Sequence, residues 1–145
     1  TQLCLEWLSD HPPVGQEVMD FGCGSGILAV AAGCLGAAHL TGLDIDPQAL
    51  LATESNAALN ALPIETRTAE QTPDRHYDLV LANILANPLI ELAPTLTALV
   101  KPGGTIVLAG LLDNQADAVQ AAYPEVVFDP PISREGWTRL SGTRH

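Results

Sequence analysis

The sequence has 145 residues, 47% of them apolar, enough for one well-buried core and too few to argue for two. Seventeen acidic residues against six basic ones set the net charge at −11, which argues against a protein that tracks nucleic-acid phosphates, because that work needs clustered Lys and Arg. No apolar run approaches the roughly 20 residues of a membrane span, no signal peptide opens the chain, and Cys4, Cys23 and Cys34 form no Cys-x-x-Cys pair, so a soluble cytoplasmic protein with buried free thiols is expected.

In chain order, Leu3, Leu5, Trp7 and Leu8 suggest a first helix packing on a sheet. Short β-rich runs follow at Glu17–Phe21, His39–Asp44, Ile64–Arg67, Tyr77–Ala82 and Thr105–Ala109. Stretches with helical spacing separate most of them, at Ile27–Leu35, Gln48–Leu59, Leu89–Val100 and Asn114–Ala122. Asp46-Pro47 reads as a helix cap and first helical position, Asn87-Pro88 as a second such pair, and Asp113 as a cap for the last helix. Lys101-Pro102-Gly103-Gly104 ends the helix ahead of the fifth strand. Val126–Phe128 and Trp137–Leu140 have no helix between them and form an antiparallel pair. Together these elements predict an α/β fold of doubly wound type. Its mostly parallel, seven-stranded sheet would have helices on both faces and an antiparallel C-terminal strand pair. The chain begins at Thr1 rather than Met, and we read residues 1–145 as one excised domain.

The first strand runs into Asp20-Phe21-Gly22-Cys23-Gly24-Ser25-Gly26-Ile27, which opens a helix. Glycines let a backbone turn sharply and pass close to a ligand, and helix-start N–H groups hold an anion or polar group. A dinucleotide site would need a small residue where Ile27 stands, so that pattern fails. Gly-x-Gly-x-Gly with an acid two residues before it resembles the first motif of Rossmann-type S-adenosylmethionine-dependent methyltransferases. Such a cofactor carries an ammonium and a sulfonium but no pyrophosphate, so an acid at the loop is favourable. Asp20, Gly22, Gly24 and Gly26 are therefore candidate cofactor-binding residues. Asp44, ending the second strand, could accept from both ribose hydroxyls, and Ile45 could pack on the adenine face. Glu70 falls near the adenine end, where a solvated loop acid is an equal alternative.

Asn83 stands at the carboxyl end of the fourth strand, beside the first strand across the point where strand order reverses. A neutral amine aimed at a methyl group suffices for in-line transfer, but a lysine with a pKa of about 10.4 is neutral in only roughly one molecule in a few thousand at pH 7. Desolvation lowers that pKa, and a neutral Asn carbonyl beside a backbone carbonyl can orient the amine without holding its extra proton. Asn83 is the candidate catalytic residue. Asn83-Ile84-Leu85-Ala86 departs from Asn/Asp-Pro-Pro-aromatic, so the aromatic that would stack on a flipped base is missing.

Thr1–Leu8, Asp20–Gly26, Gly42–Ala49, Ala82–Ala86, Leu92–Pro94, Lys101–Gly104 and Trp137–Leu140 together resemble the catalytic domain of the bacterial methyltransferases of large-subunit ribosomal protein eleven. The resemblance implies S-adenosylmethionine as cofactor, and trimethylation of lysine ε-amines and an N-terminal α-amine of that basic ribosomal protein. It places cofactor contacts on Gly22, Asp44 and Asn83, and on Thr1 as the last residue of a Gly-Thr-Gly-x-His-x-Thr-Thr loop. The rest of that loop and the family's separate N-terminal recognition domain are not in this chain. A monomer without direct nucleic-acid contact is expected. Two alternatives stay open: a methyltransferase of the same fold acting on a small-molecule amine or another protein, and a non-catalytic S-adenosylmethionine-binding module. His11, His39, His76 and His145 share no ligand spacing, and Trp7 and Trp137 read as packing residues.

Overall fold

The computed structural model describes residues 1–145. Its strands are β1 (Glu17–Phe21), β2 (His39–Leu43), β3 (Glu65–Arg67), β4 (Tyr77–Asn83), β5 (Val100–Leu112), β6 (Val126–Phe128), β7 (Ile132–Arg134) and β8 (Trp137–Arg144). Seven of them lie side by side in the order β3-β2-β1-β4-β5-β8-β6, and β7 pairs separately with β8. The first five are mutually parallel, while β8 runs antiparallel to both β5 and β6. The expected mostly parallel sheet with an antiparallel end is therefore present, with one strand more than anticipated. That strand exists because Glu135 and Gly136 both take positive φ, at 51° and 85°, and close a two-residue turn between Arg134 and Trp137.

Helices α1 (Gln2–Asp10), α2 (Ile27–Cys34), α3 (Pro47–Leu59), α4 (Ala86–Glu91), α5 (Ala93–Leu99) and α6 (Ala116–Ala121) cover both faces. Strand periodicity divides the core between those faces. Leu79 and Leu81 of β4 join Val18, Leu40 and Val107 beneath α1 and α2. Val80 and Ala82 point the other way, joining Met19, Ile106 and Leu108 under α4, α5 and α6. Central strands buried on both sides must be apolar throughout, which is why Leu79–Ala82 shows no polar alternation.

Four expectations are corrected. The helix anticipated over Leu89–Val100 is two helices, α4 and α5, meeting at Leu92 (φ −91°, ψ 4°). Pro94 has no N–H to donate to the fourth residue back, so a continuous helix is interrupted there. Asn87 is not a cap. Leu85 holds the N-cap position of α4 in extended geometry, and Asn87 and Pro88 lie inside the first turn, where backbone N–H groups lack intrahelical partners and a proline costs nothing. Asp113 instead begins a single 3₁₀ turn and accepts from the Thr138 hydroxyl at 2.6 Å. Cys34 is exposed, whereas Cys4 and Cys23 are buried, and burial pushes both thiols up to about 11.

Asp46 does cap α3, its carboxylate accepting from the Gln48 N–H at 2.9 Å with Pro47 at the first position. Replacing Asp46 with Ala is expected to lower stability by about 1 kcal/mol in chemical denaturation.

All six Lys and Arg side chains are engaged within the fold. Arg67, the last residue of the edge strand β3, pairs with Glu65, and near the amino ends of the strands Arg75 pairs with Glu17 and Glu65, and Lys101 with Asp78 and Glu17. Arg134 pairs with Glu6, Arg139 donates to the Leu3 carbonyl at 2.8 Å, and Arg144 donates to the Val100 carbonyl at 2.5 Å. No helix is long and apolar enough to cross a membrane.

Candidate active site

The carboxyl ends of β1, β2 and β4 finish level with one another, since Phe21 is opposite Leu43 on one side and Ala82 on the other. In a sheet of this order the crevice opens where β1 and β4 lead to opposite faces. The glycine loop fills one bank of it. Gly22 and Cys23 donate their N–H groups to the Leu43 carbonyl at 2.7 and 3.0 Å, which ties the loop to the end of β2.

Gly22, Gly24 and Gly26 all have positive φ, at 75°, 56° and 82°. Their reasons differ. A Cβ at Gly26 would come within 2.8 Å of Thr53 on α3, and one at Gly22 within 2.6 Å of the Ile84 methyl. Nothing lies within 4 Å of a Cβ built at Gly24, so that backbone is left open for a ligand to approach. The structural alternative, a turn merely joining strand to helix, does not require all three.

Asp44 follows β2 and carries two backbone bonds: the Gly24 N–H donates to one oxygen at 2.9 Å and the Asp46 N–H to the other at 3.0 Å. Its carboxylate is thereby aimed across the loop mouth, and each oxygen can still accept a hydroxyl. Asp20 is placed differently. It is 2% exposed and accepts from the Ala29 N–H of α2 at 3.2 Å, capping that helix from behind the loop rather than lining the crevice. Burial pushes the Asp20 carboxyl up to about 7; the Ala29 N–H opposes this and the charge of Asp44 adds to it.

Two cavities meet at the end of β4. The first, about 390 Å³, has Gly22 and Asp44 on its polar side and Leu43, Ile45, Ile84 and Leu92 among its apolar walls. Ile45, 82% exposed, forms its outer lip. Glu70 is exposed on the neighbouring 3₁₀ turn, and it is Ala69 that reaches the wall. The second cavity, also about 390 Å³, is lined by Thr1, Leu3, Asn83, Gly110 and Trp137. Ile84 and Leu85 belong to both and form the partition.

Asn83 faces the second cavity. Its amide nitrogen donates to the Thr1 hydroxyl at 2.9 Å, which directs the side-chain carbonyl away from Thr1. The structure thus brings Thr1, Asn83, Gly22 and Asp44 to the two sides of one partition. Asp20 and Gly26 act behind the loop.

Sequence reasoning missed two residues here. Gly110 has φ 92°, and a Cβ there would stand 2.3 Å from the Ile84 carbonyl oxygen, so only glycine lets β5 pass the end of β4 this closely. An isolated glycine inside a strand pattern signals a close backbone approach. Trp137, expected to be a packing residue, is 47% exposed and lines the second cavity. Trp7, by contrast, is buried and stacks on His11 with ring centroids 4.5 Å apart.

A doubly wound sheet in this order, with a glycine loop, an acid at the next strand end and Ile27 where a dinucleotide loop needs a small residue, defines a Rossmann-like methyltransferase domain. The family model for ribosomal protein L11 methyltransferase (PrmA) matches residues 1–145 in full. The chain belongs to that family. It is 51% identical over 148 residues to the ribosomal protein L11 methyltransferase of Pseudomonas aeruginosa, covering 99% of this chain and 50% of that protein. The chain spans about half the length of the curated relatives it matches. Among solved structures, the ribosomal protein L11 methylase of Lactobacillus delbrueckii subsp. bulgaricus superposes with a TM-score of 0.89 at 30% identity, over 99% of this chain and 77% of that one. An RNA methyltransferase from Salinibacter ruber, in complex with S-adenosyl-L-homocysteine, shares the fold alone, at a TM-score of 0.76 and 19% identity, over 99% of this chain and 91% of that one.

Proposed function

We propose that residues 1–145 form the cofactor-binding and transfer domain of an S-adenosylmethionine-dependent protein N-methyltransferase. Its acceptors, on this reading, are lysine ε-amines and the N-terminal α-amine of ribosomal protein L11. The observation that carries the reading is the placement of Asn83, held by Thr1 at the partition between a cavity with a ribose-accepting acid and an apolar cavity able to take an amine.

The residues fit the cofactor. The first cavity offers Asp44 for ribose hydroxyls and the Gly22–Gly24 backbone for the polar end. Its apolar walls, with Ile45 as lip, suit a flat base. When bound, S-adenosylmethionine supplies a methyl group on a sulfonium, an electrophile that needs no metal or acid to react. What the chain must do is deliver a neutral amine to it. Leu3, Ile84, Leu85 and the Trp137 ring withdraw the amine from water and so disfavour its ammonium form. The Asn83 carbonyl then accepts from the amine N–H, and orientation replaces the cost of a chance encounter. A neutral carboxamide is the suitable group, since a carboxylate would retain the proton that must leave.

The acidic surface and the engagement of every Lys and Arg side chain support a basic protein substrate rather than a nucleic acid. A monomer working in the cytoplasm, with a separate domain sharing acceptor recognition, completes the proposal; the greater length of the relatives is compatible with that domain.

Calorimetry with S-adenosylhomocysteine and with NAD tests the cofactor half. Binding of the first and none of the second is expected, and Asp44→Ala should weaken it roughly tenfold to a hundredfold, the loss of hydrogen bonds to a charged group. Heat with NAD alone would overturn the assignment.

A further inference from the structure

Asn87, freed from the capping role its Asn-Pro context suggested, has another place in the fold. Its side chain caps nothing and lines a third cavity, of about 340 Å³, with Pro88, Leu112, Gln115 and Trp137. This cavity adjoins the one that holds Asn83, with Leu85, Gly110 and Trp137 lining both. The two adjoining hollows, taken together as one groove, extend from Thr1 and Asn83, past Trp137, to the first turn of α4 and the 3₁₀ turn after β5.

The chemistry of the far end is not that of an amine site. Two carboxamides face an apolar floor. Gln115 accepts from the Leu112 N–H at 2.8 Å through its oxygen, which leaves its amide nitrogen free to donate, and the Asn87 carboxamide can both donate and accept. Groups of that kind bond the N–H and C=O of an extended polypeptide, while Leu112, Pro88 and Leu85 offer apolar surface to its side chains. The charges beside the groove select among polypeptides. The acids nearest along the chain to its lining are Asp113, which follows Leu112, and the exposed Glu135, two residues before Trp137; the Asp113 N–H donates to the Gly136 carbonyl at 3.0 Å, and its carboxylate accepts from the Thr138 hydroxyl at 2.6 Å. Arg134 and Arg139, the two cations of the paired part of the β7–β8 hairpin, are held by Glu6 and by the Leu3 carbonyl.

We propose that this groove is a subsite for the acceptor polypeptide, binding an extended, positively charged segment next to the methylated amine, with Asn87 and Gln115 as its backbone-binding residues. The inference rests on the assignment of Asn83 to methyl transfer. Asn87 and Gln115 are specificity residues here, since neither lies in the cavity that holds the reacting amine.

The test uses the chain with S-adenosylhomocysteine and a fluorescein-labelled, acetyl-capped peptide of alternating alanine and lysine, followed by anisotropy. Asn87 is exposed, so Asn87→Ala and the groove-filling Asn87→Phe should fold normally, with unchanged S-adenosylhomocysteine affinity as the check. Peptide binding should weaken about threefold to tenfold in Asn87→Ala and more in Asn87→Phe. An alanine/glutamate peptide should bind far less well than the lysine one. Equal peptide affinity in the unmodified chain and both variants, or no peptide binding at all, would overturn the groove. Methyl transfer to the same lysine peptide, run with S-adenosylmethionine, separates this inference from the one beneath it. Asn87-dependent binding without transfer would defeat the role of Asn83 and leave the groove standing. Transfer with an unchanged KM in the Asn87 variants would do the reverse.

Discussion

Replacing Asn83 with Ala is expected to lower kcat for methyl transfer by about a hundredfold or more, with a much smaller change in S-adenosylhomocysteine affinity. The asymmetry follows from geometry. Asn83 is in the wall of the second cavity, on the far side of Ile84 and Leu85 from Asp44, so its truncation leaves the ribose-accepting carboxylate untouched. What disappears is the group that turns the amine lone pair toward the methyl, and misplacement of about 1 Å can cost a hundredfold. Asn83→Asp is the sharper comparison. An aspartate keeps the acceptor and the size but adds a negative charge that favours ammonium over amine. Its activity should therefore be low at neutral pH and recover as pH rises, with the profile displaced upward relative to the unmodified enzyme. If Asn83→Ala methylates normally, or if the Asp variant has an undisplaced profile, Asn83 does not orient the amine.

Asp20→Asn should stabilise the cofactor-free chain at pH 8 by a few kcal/mol while changing little near pH 4. The carboxyl is buried, has one backbone donor, and is pushed up to about 7 from an ordinary value of 3.8, chiefly by burial. Between those two values the folded chain keeps a proton that the unfolded chain has already released. Stability consequently falls as pH rises from about 4 to about 7 and is level above that. The Asn variant has nothing to titrate there, and its denaturation midpoint should not slope in this window on account of residue 20. Urea denaturation at pH 5 and pH 8 decides the matter, and identical slopes in both proteins would show that Asp20 is ionised throughout.

Much of the architecture was legible because it rests on local signals. Strand β4 had to be buried on both faces, since Leu79-Val80-Leu81-Ala82 offers no polar alternation. Asp46-Pro47 had to start α3, since the cap and the missing N–H act within three residues. The same kind of signal misled at Asn87-Pro88. There Leu85 already had the extended geometry of an N-cap, and the helix began two residues early. A pair of residues can satisfy a capping pattern without occupying the cap, because the entering direction of the chain is set by what precedes it, here the β4 end held against β5 by the Ile84 N–H to Ala109 carbonyl bond of 3.1 Å.

Residue type and spacing along the chain were sufficient to place the glycine loop, Asp44 and Asn83 at the ends of their strands, because each owes its position to the element it terminates. They were not sufficient for Gly110, Trp137 or the contact between Thr1 and Asn83. Those depend on residues separated by 26 to 82 positions being brought together by the sheet, Gly110 under Ile84 and Thr1 beside Asn83. Short-range periodicity reports which way a side chain faces within its own element. The partition between the two cavities, and the groove that extends from one of them, arise where β4, β5, β8 and α1 converge. No one of those segments contains that information.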